Sequence, residues 1–371
     1  MFTKQILDFI LKYVKMGLVN KSKNMFTKQK KRLLMATIRE IAKEAGISAG
    51  AVSRILNQDE TLSVSKETKE RVLAIATRVG YTKPLHSAQA KKPAFTMGIV
   101  QWFSAEEELT DTYYLAARQG VEDFCGRNNI AITRLFPSDN DPAEVLKDIN
   151  GLVCIGKFSD KEIRRFIHIC PNTVFLDMPV DKYPITSITM DFDQAVRDAL
   201  HYLEKLGHKR IAYLGGLEYV GDHEPINDYR KRQYLHYTKR HNLDSESWLI
   251  EGSFTSASGY EMMKELLDKK DRPTAVFAAS DAIAFGAMRA INEAGLSIPK
   301  DISIIGFNDV EACKYTTPAL TSIHAPSYDM GAHGANLVYV SSNLQIHTPL
   351  KVKIPCELIK RESCGPEGSA Q

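Results

Sequence analysis

A chain of 371 residues, 44% hydrophobic and 25% charged, is long enough for a sizeable core and more than one domain, and it contains no run of eighteen apolar residues to span a membrane. The formal net charge of +3 hides an asymmetry: residues 1–94 carry 19 Lys+Arg against 7 Asp+Glu, and the remainder 29 against 38. A basic segment on an acidic body suits a nucleic-acid-binding module joined to a separate sensing domain, because neutralising phosphates favours binding whatever the bases; a solvated basic tail is the alternative. The six cysteines, at 125, 154, 170, 313, 356 and 364, form no C-x-x-C pair and have no His-rich neighbourhood. They read as reduced packing residues of a cytoplasmic protein, with no metal site and no cofactor expected.

Residues 1–34 form an extension in which MFTKQ occurs twice, at Met1 and Met25. Lys12 and Lys15 interrupt its partly apolar stretch, so a secretory signal is not expected. The segment reads as disordered; the alternative is a basic arm, 28–32, adding phosphate contacts.

From Thr37 the pattern sharpens into TIREIAKEAGISAGAVSRILN. Thr37 with Glu40 three residues on is a capping box, so a helix should start at Ile38 with Ile41, Ala42 and Ala45 on its inner face. Gly46 supplies the left-handed stop, and Ser48 caps a second helix over 49–56. Two short helices joined by a glycine turn make a helix-turn-helix, whose second helix enters the major groove. Ala49, Gly50 and Arg54 then stand at the reading positions; Arg54 can donate twice to a guanine, while Ala49 offers only a methyl. Thr37, Ser48, Ser53 and Asn57 suit phosphate or groove-edge contacts. A plain helical hairpin is the rival reading.

A third helix, capped by Ser65, should run to about Val79, with Gly80-Tyr81 closing a small bundle over 35–81. Residues 82–94 (TKPLHSAQAKKP within them) read as a linker in which Lys83, Lys91 and Lys92 can hold phosphates. From Thr96 short apolar runs alternate with helical patterns. Strands are expected at 97–102, 130–135, 152–155, 174–176, 211–214, 275–278 and 302–305. Helices are expected at 113–127, 142–149, 161–168, 194–206, 228–240, 257–269 and 281–294. Such alternation in two successive sets implies two doubly wound parallel-sheet subdomains, with ligands at the carboxyl ends of the strands between them.

The helix-turn-helix string resembles the N-terminal motif of the lactose and galactose repressor family of bacterial transcription factors. The resemblance continues through Val64-Ser65-Lys66-Glu67-Thr68, Leu206-Gly207-His208-Lys209-Arg210-Ile211, Ala279-Ser280-Asp281 and 301–309, to about Arg361. The strings at 111–116 and 252–260 resemble its beta-galactosidase and galactose-operon repressor subgroup. The fold so implied is a small all-α helix-turn-helix domain followed by an α/β periplasmic-binding-protein-like core. Its first lobe would take about 95–206 and 319–345 and its second about 207–318 and 346–361, with a short tail at 362–371. The function so implied is a homodimeric repressor bound to double-stranded operator DNA and released by galactose or a galactoside. A regulator of the same fold that answers another sugar, uses a corepressor or activates is the alternative. The family's hinge leucine, which wedges into the minor groove, has no counterpart in 82–94, so strong kinking of the operator is not expected.

By the same resemblance Asp281, at a strand-to-helix junction, and Arg230 point at the sugar, with Asp191 and Asn308 at other strand ends. Trp102, Tyr113 and Tyr114 follow the first strand, where an aromatic face can stack on a pyranose or simply pack the core. An enzyme is not expected: Gly98 stands alone where a dinucleotide fold needs G-x-G-x-x-G, and Gly215-Gly216 and Gly221 have the wrong spacing. A transport binding protein would have no use for the helix-turn-helix.

Overall fold

The computed structural model describes residues 37–368 apart from 57–61, 63, 80, 82–94, 105–111, 137–140, 222, 244–247 and 347. The 1–34 extension, the 82–94 linker, and Asn57, Lys83, Lys91 and Lys92 lie outside the described residues. The chain divides into two units, Met1–Lys91 and Lys92–Gln371, each with its own apolar core.

In the first unit the local chemistry sets the helix ends. The Thr37 amide donates to the Glu40 carboxylate at 2.7 Å and the Glu40 amide donates back to Thr37 Oγ1 at 3.3 Å, starting α1 (Ile38–Ala45). Gly46, at φ +70°, closes it in the left-handed region. Ser48 Oγ accepts the Ala51 amide at 3.2 Å to open α2 (Ala49–Leu56), and Ser65 caps α3 (Lys66–Arg78). Ile41, Val52 and Val72 are fully buried where the three helices meet, and a Glu44–Arg78 ion pair ties α1 to α3.

The second unit holds two six-stranded sheets. The first is ordered β13-β5-β4-β3-β1-β2, all parallel, from β1 (Thr96–Gln101), β2 (Ala131–Leu135), β3 (Gly151–Ile155), β4 (Thr173–Leu176), β5 (Thr186–Met190) and β13 (Lys351–Ile354). The second is ordered β14-β12-β11-β10-β6-β9, from β6 (Ile211–Gly216), β9 (Leu249–Gly252), β10 (Ala275–Ala278), β11 (Ser303–Asn308), β12 (Thr321–His324) and the antiparallel edge β14 (Glu357–Ile359). Strands β3, β4, β6 and β10 are buried along their whole length because helices cover both faces, which is why they read as continuous apolar runs. A two-stranded hairpin, β7 (Tyr219–Val220) and β8 (Glu224–Pro225), follows β6.

In each lobe one helix pair is pressed together through glycines. In the first lobe α4 (Thr112–Arg127) meets α11 (Ser327–Leu344), where a Cβ on Gly120 would lie 2.0 Å from the Tyr328 carbonyl oxygen. In the second, α9 (Ser256–Leu267) meets α10 (Asp281–Glu293), where one on Gly286 would lie 1.9 Å from that of Ser256. The remaining helices are α5 (Pro142–Val145), α6 (Asp160–Ile169), α7 (Phe192–Lys205) and α8 (Tyr229–Arg240). The helix expected over 142–149 stops at Val145, since Leu146, at φ −98° and ψ 11°, leaves helical geometry.

The lobe boundaries differ from the expected ones. The first crossing falls at Asp191, since β5 belongs to the first sheet while α7 packs on α8 and the second sheet. The 319–345 segment expected to return to the first lobe stays in the second through β12, whose Thr321 pairs with Ile305; within it only α11 covers the first sheet. Residues 351–354, expected in the second lobe, pair with 187–190 of the first, and β14 makes the last return. These short strands carry no periodicity that names a partner; backbone pairing over more than a hundred residues decides it.

The 362–368 part of the expected tail is built into the second lobe. Ser363 is fully buried and donates to the Ile304 carbonyl at 2.6 Å, and His208 lies 2.9 Å from the Gly365 carbonyl. Burial lowers the His208 pKa, against opposing pulls from Gly365 and Glu367, which suits a neutral ring within that hydrogen-bond network.

Candidate ligand cleft and reading helices

The cleft assembles where parallel strands of both lobes end. On the first-lobe side, Asp177 follows β4 and stands in the left-handed region at φ +66°. Its carboxylate accepts from Tyr113 Oη at 3.0 Å and Tyr114 Oη at 2.8 Å, and it pairs with Lys157, which follows β3 and also donates to the Asp177 carbonyl at 2.6 Å. Burial first, and the Asp177 charge second, push both phenols well above their ordinary values, so they remain protonated donors.

On the second-lobe side, Asp228 caps α8 and takes Arg230 side-on, Nε at 3.0 Å and Nη2 at 2.8 Å. Arg230 Nη1 donates to the Ala279 carbonyl at 2.7 Å, and its guanidinium lies 4.8 Å from the ring of Phe254 and 5.5–5.7 Å from those of Phe307 and Phe192. Burial raises the Asp228 carboxyl, but the charge and hydrogen bonds of Arg230 outweigh it and the net shift is downward.

Between these faces lies a cavity of about 230 Å³ lined by Lys157, Asp177, Glu218, Asp228, Tyr229 and Arg230, among others. Pro179, Phe192 and Tyr229 also line a second pocket of about 420 Å³, which extends along β5 and β13. Phe192 and Tyr229 are near-parallel, at 10°, and line both spaces.

Of the seven residues expected at the ligand, Arg230 lines the cavity between the two faces, and Tyr113 and Tyr114 reach it through Asp177. Asn308, at φ +109°, lines a separate interlobe pocket of about 230 Å³ that also contains Tyr113. Trp102 packs on Phe103 and Tyr114, and Asp191 caps α7 at the lobe crossing; neither is among the lining of these pockets. Asp281 departs most from its expected place. It is 1% exposed, with Oδ1 accepting from Ser322 Oγ at 2.6 Å and Oδ2 accepting from the Val310 amide at 2.9 Å. The carboxylate ties α10 to β12 and to the turn after β11, and lies inside the lobe because Gly306 leaves room for it: a Cβ there would stand 2.2 Å from Oδ1.

Lys157, Asp177, Glu218 and Asp228 were not among the expected residues. The signal existed, since the first three lie within a few positions of the carboxyl ends of strands expected from the sequence.

In the reading unit Gly50 and Arg54 are exposed on α2, Ser53 is half-buried, and Ala49 is half-buried against the helical core. The exposed hydroxyls of Thr37 and Ser48 act as helix caps.

A helix-turn-helix unit joined to a two-lobed α/β unit with a polar cleft defines a DNA-binding transcriptional regulator with a ligand-sensing domain. Residues 37–83 match the bacterial regulatory proteins of the lacI family, and 200–364 match the periplasmic binding protein-like domain. The chain is 38% identical over 325 residues to the HTH-type transcriptional regulator GalR of Streptococcus thermophilus, covering 86% of this chain and 95% of that protein. It is 31% identical over 338 residues to the HTH-type transcriptional repressor MelR of Bacillus subtilis (strain 168), covering 89% and 98%. Among solved structures, the lac repressor bound to ONPG in the repressed state matches with a TM-score of 0.64 at 26% identity, over 89% of this chain and 100% of that one. The chain therefore belongs to the lacI family of bacterial regulatory proteins.

Proposed function

We propose that this regulator represses a galactose or galactoside utilisation operon, working in the cytoplasm as a homodimer on a two-fold operator and letting go when a galactose-type sugar occupies the cleft. The observation that carries the reading is the cavity around Arg230, where carboxylates, guanidinium and the Phe192–Tyr229 pair offer acceptors, donors and an apolar face together. A pyranose needs all three. The adjoining pocket gives room for an aglycone or second ring, and relatives bear the names GalR and MelR. Asp281 is assigned a positioning role: through Val310 it holds the turn that presents Asn308.

Closure of the lobes on the sugar is the step that changes affinity for DNA. A ligand shifts such an equilibrium only by its differential affinity, typically about 1–3 kcal/mol, and the coupling is reciprocal. The test is operator binding at fixed salt with galactose, lactose and melibiose added in turn. Release is expected, with operator weakening sugar binding by the same factor; sugar binding without any change in DNA affinity sinks the proposal. On the DNA side Arg54→Ala should cost about 1–3 kcal/mol and relax one base per half-site. Equal losses on specific and random DNA would reduce Arg54 to a phosphate clamp.

A further inference from the structure

The ionisable groups lining the cavity are Lys157, Asp177, Glu218, Asp228 and Arg230, and their pairing is unequal. The charge of Lys157 is paired with Asp177 and that of Arg230 with Asp228, although Arg230 keeps N–H donors beyond those given to Asp228 and the Ala279 carbonyl. Glu218 is left over: among the described residues none donates a hydrogen bond to its carboxylate, although both cations are near enough to pull on its charge. Burial is the larger influence and pushes its carboxyl above the ordinary range, with Asp228 and Asp177 adding to the rise.

Glu218 is not a surface arm. It immediately precedes the β7–β8 hairpin, and Val220 and Ile226 of the same segment line the cavity beside it. At the hairpin's tip Gly221, at φ +50°, approaches the first lobe so closely that a Cβ there would lie 3.1 Å from Ser159 Cβ, at the start of α6. The hairpin thus reaches from the second lobe to the first across the cavity and presents an unpaired carboxylate to whatever lies beneath.

Resting on the reading of this cleft as the effector site, we infer that Glu218 is its charge-selecting residue: it takes hydrogen bonds from ligand hydroxyls and excludes ligands that carry a negative charge. A half-buried carboxylate without protein donors at a cavity wall is incompletely solvated, and a polyol supplies donors where the protein supplies none. An anion supplies the wrong sign, and the two cations that would welcome it are already neutralised. Sugar acids and sugar phosphates are therefore rejected, and uncharged saccharides are accepted.

The test is calorimetric titration of the full chain with galactose, lactose and melibiose, and with galacturonate as the anionic counterpart of galactose. The wild type should bind the neutral sugar at least about a hundredfold more tightly than galacturonate. Glu218→Gln should narrow that gap about tenfold or more, and Glu218→Asp, which keeps the charge, should preserve it. Should the glutamine variant fail to fold, Glu218→Ala removes the same charge and carries the same expectation. Comparable binding of galactose and galacturonate by the wild type, or an unchanged gap in the uncharged variants, overturns the inference while leaving the effector site intact. If none of the three neutral sugars binds the wild type, the galactoside reading falls and takes this inference with it.

Discussion

The two faces of the cleft use the same residue types and use them differently. On the first-lobe face Asp177, 4% exposed, gathers Tyr113, Tyr114 and Lys157 from two other elements, and every group there has a partner. On the second-lobe face Arg230 and Asp228 are clamped together, while the Glu218 carboxylate has no hydrogen-bond partner among the described residues; within the same lobe's interior the fully buried Tyr213 hydroxyl has none either. The first face is a fixed platform, satisfied before any ligand arrives. The second keeps unused hydrogen-bonding capacity, and that is where ligand chemistry is decided.

The largest expected effect comes from Arg230→Ala. It leaves the Asp228 carboxylate without its cation and empties the space among Phe192, Phe254 and Phe307. Breaking such a pair from one side costs about 3–5 kcal/mol of stability. Sugar binding should vanish with it, because a donor of the cavity wall is gone. Chemical denaturation and calorimetry check both; a stable variant that still binds sugar would mean that the second face is as self-sufficient as the first.

How far these faces could be read from the sequence depends on the range of the contacts. The reading helices were legible because their determinants are local: Thr37 meets Glu40, and Ser48 meets Ala51. The central strands of both lobes were legible for a similar reason, as buried parallel strands are continuous apolar runs, whereas β5, β9 and β12, of mixed composition, were not expected as strands. Lobe membership was not, because the pairing of 351–354 with 187–190 is a long-range choice made by edge strands of ordinary composition. The same holds for the polar site: Tyr114 and Asp177 are 63 residues apart, and Asp281 and Ser322 are 41 apart. Asp281 could be placed at a helix start, but whether its carboxylate faced the cleft or the interior depended on Gly306, on another strand.

Asp281 supplies the next effect, as a buried carboxylate belonging to neither face. Burial raises its carboxyl to about 7, against the lowering influence of Ser322, Val310 and Cys313, and with Asp309 adding to the rise. The folded chain therefore holds a proton that the unfolded chain releases near pH 4. Its contribution is full below that ordinary value and is lost as pH rises towards 7, on the order of 3 kcal/mol over the window. Asp281→Asn carries no proton to lose, so its stability should fall less than the wild type's between pH 4 and 7. Parallel pH profiles of the two unfolding midpoints would show that the carboxylate is not protonated in the fold.

The smallest effects separate a partnered buried hydroxyl of the first lobe from an unpartnered one in the interior of the second. Tyr114→Phe removes a donor to Asp177 at 2.8 Å and keeps the ring packed on Phe103 and Trp102. A hydrogen bond to a charged acceptor contributes about 1.5–3 kcal/mol, and because Lys157 and Tyr113 remain on the same carboxylate the loss should sit near the lower end of that range. Tyr213→Phe removes a buried hydroxyl that has no hydrogen-bond partner, and the ring keeps its stacking on Tyr234 at 5.2 Å. Deleting an unsatisfied polar atom without disturbing shape should be neutral or slightly stabilising, within about 0.5 kcal/mol. Urea unfolding of the two variants side by side reads the contrast directly. Equal losses would mean that Tyr213 has a donor or acceptor within reach; a loss confined to Tyr114→Phe would show that of the two buried hydroxyls only that of Tyr114 is partnered.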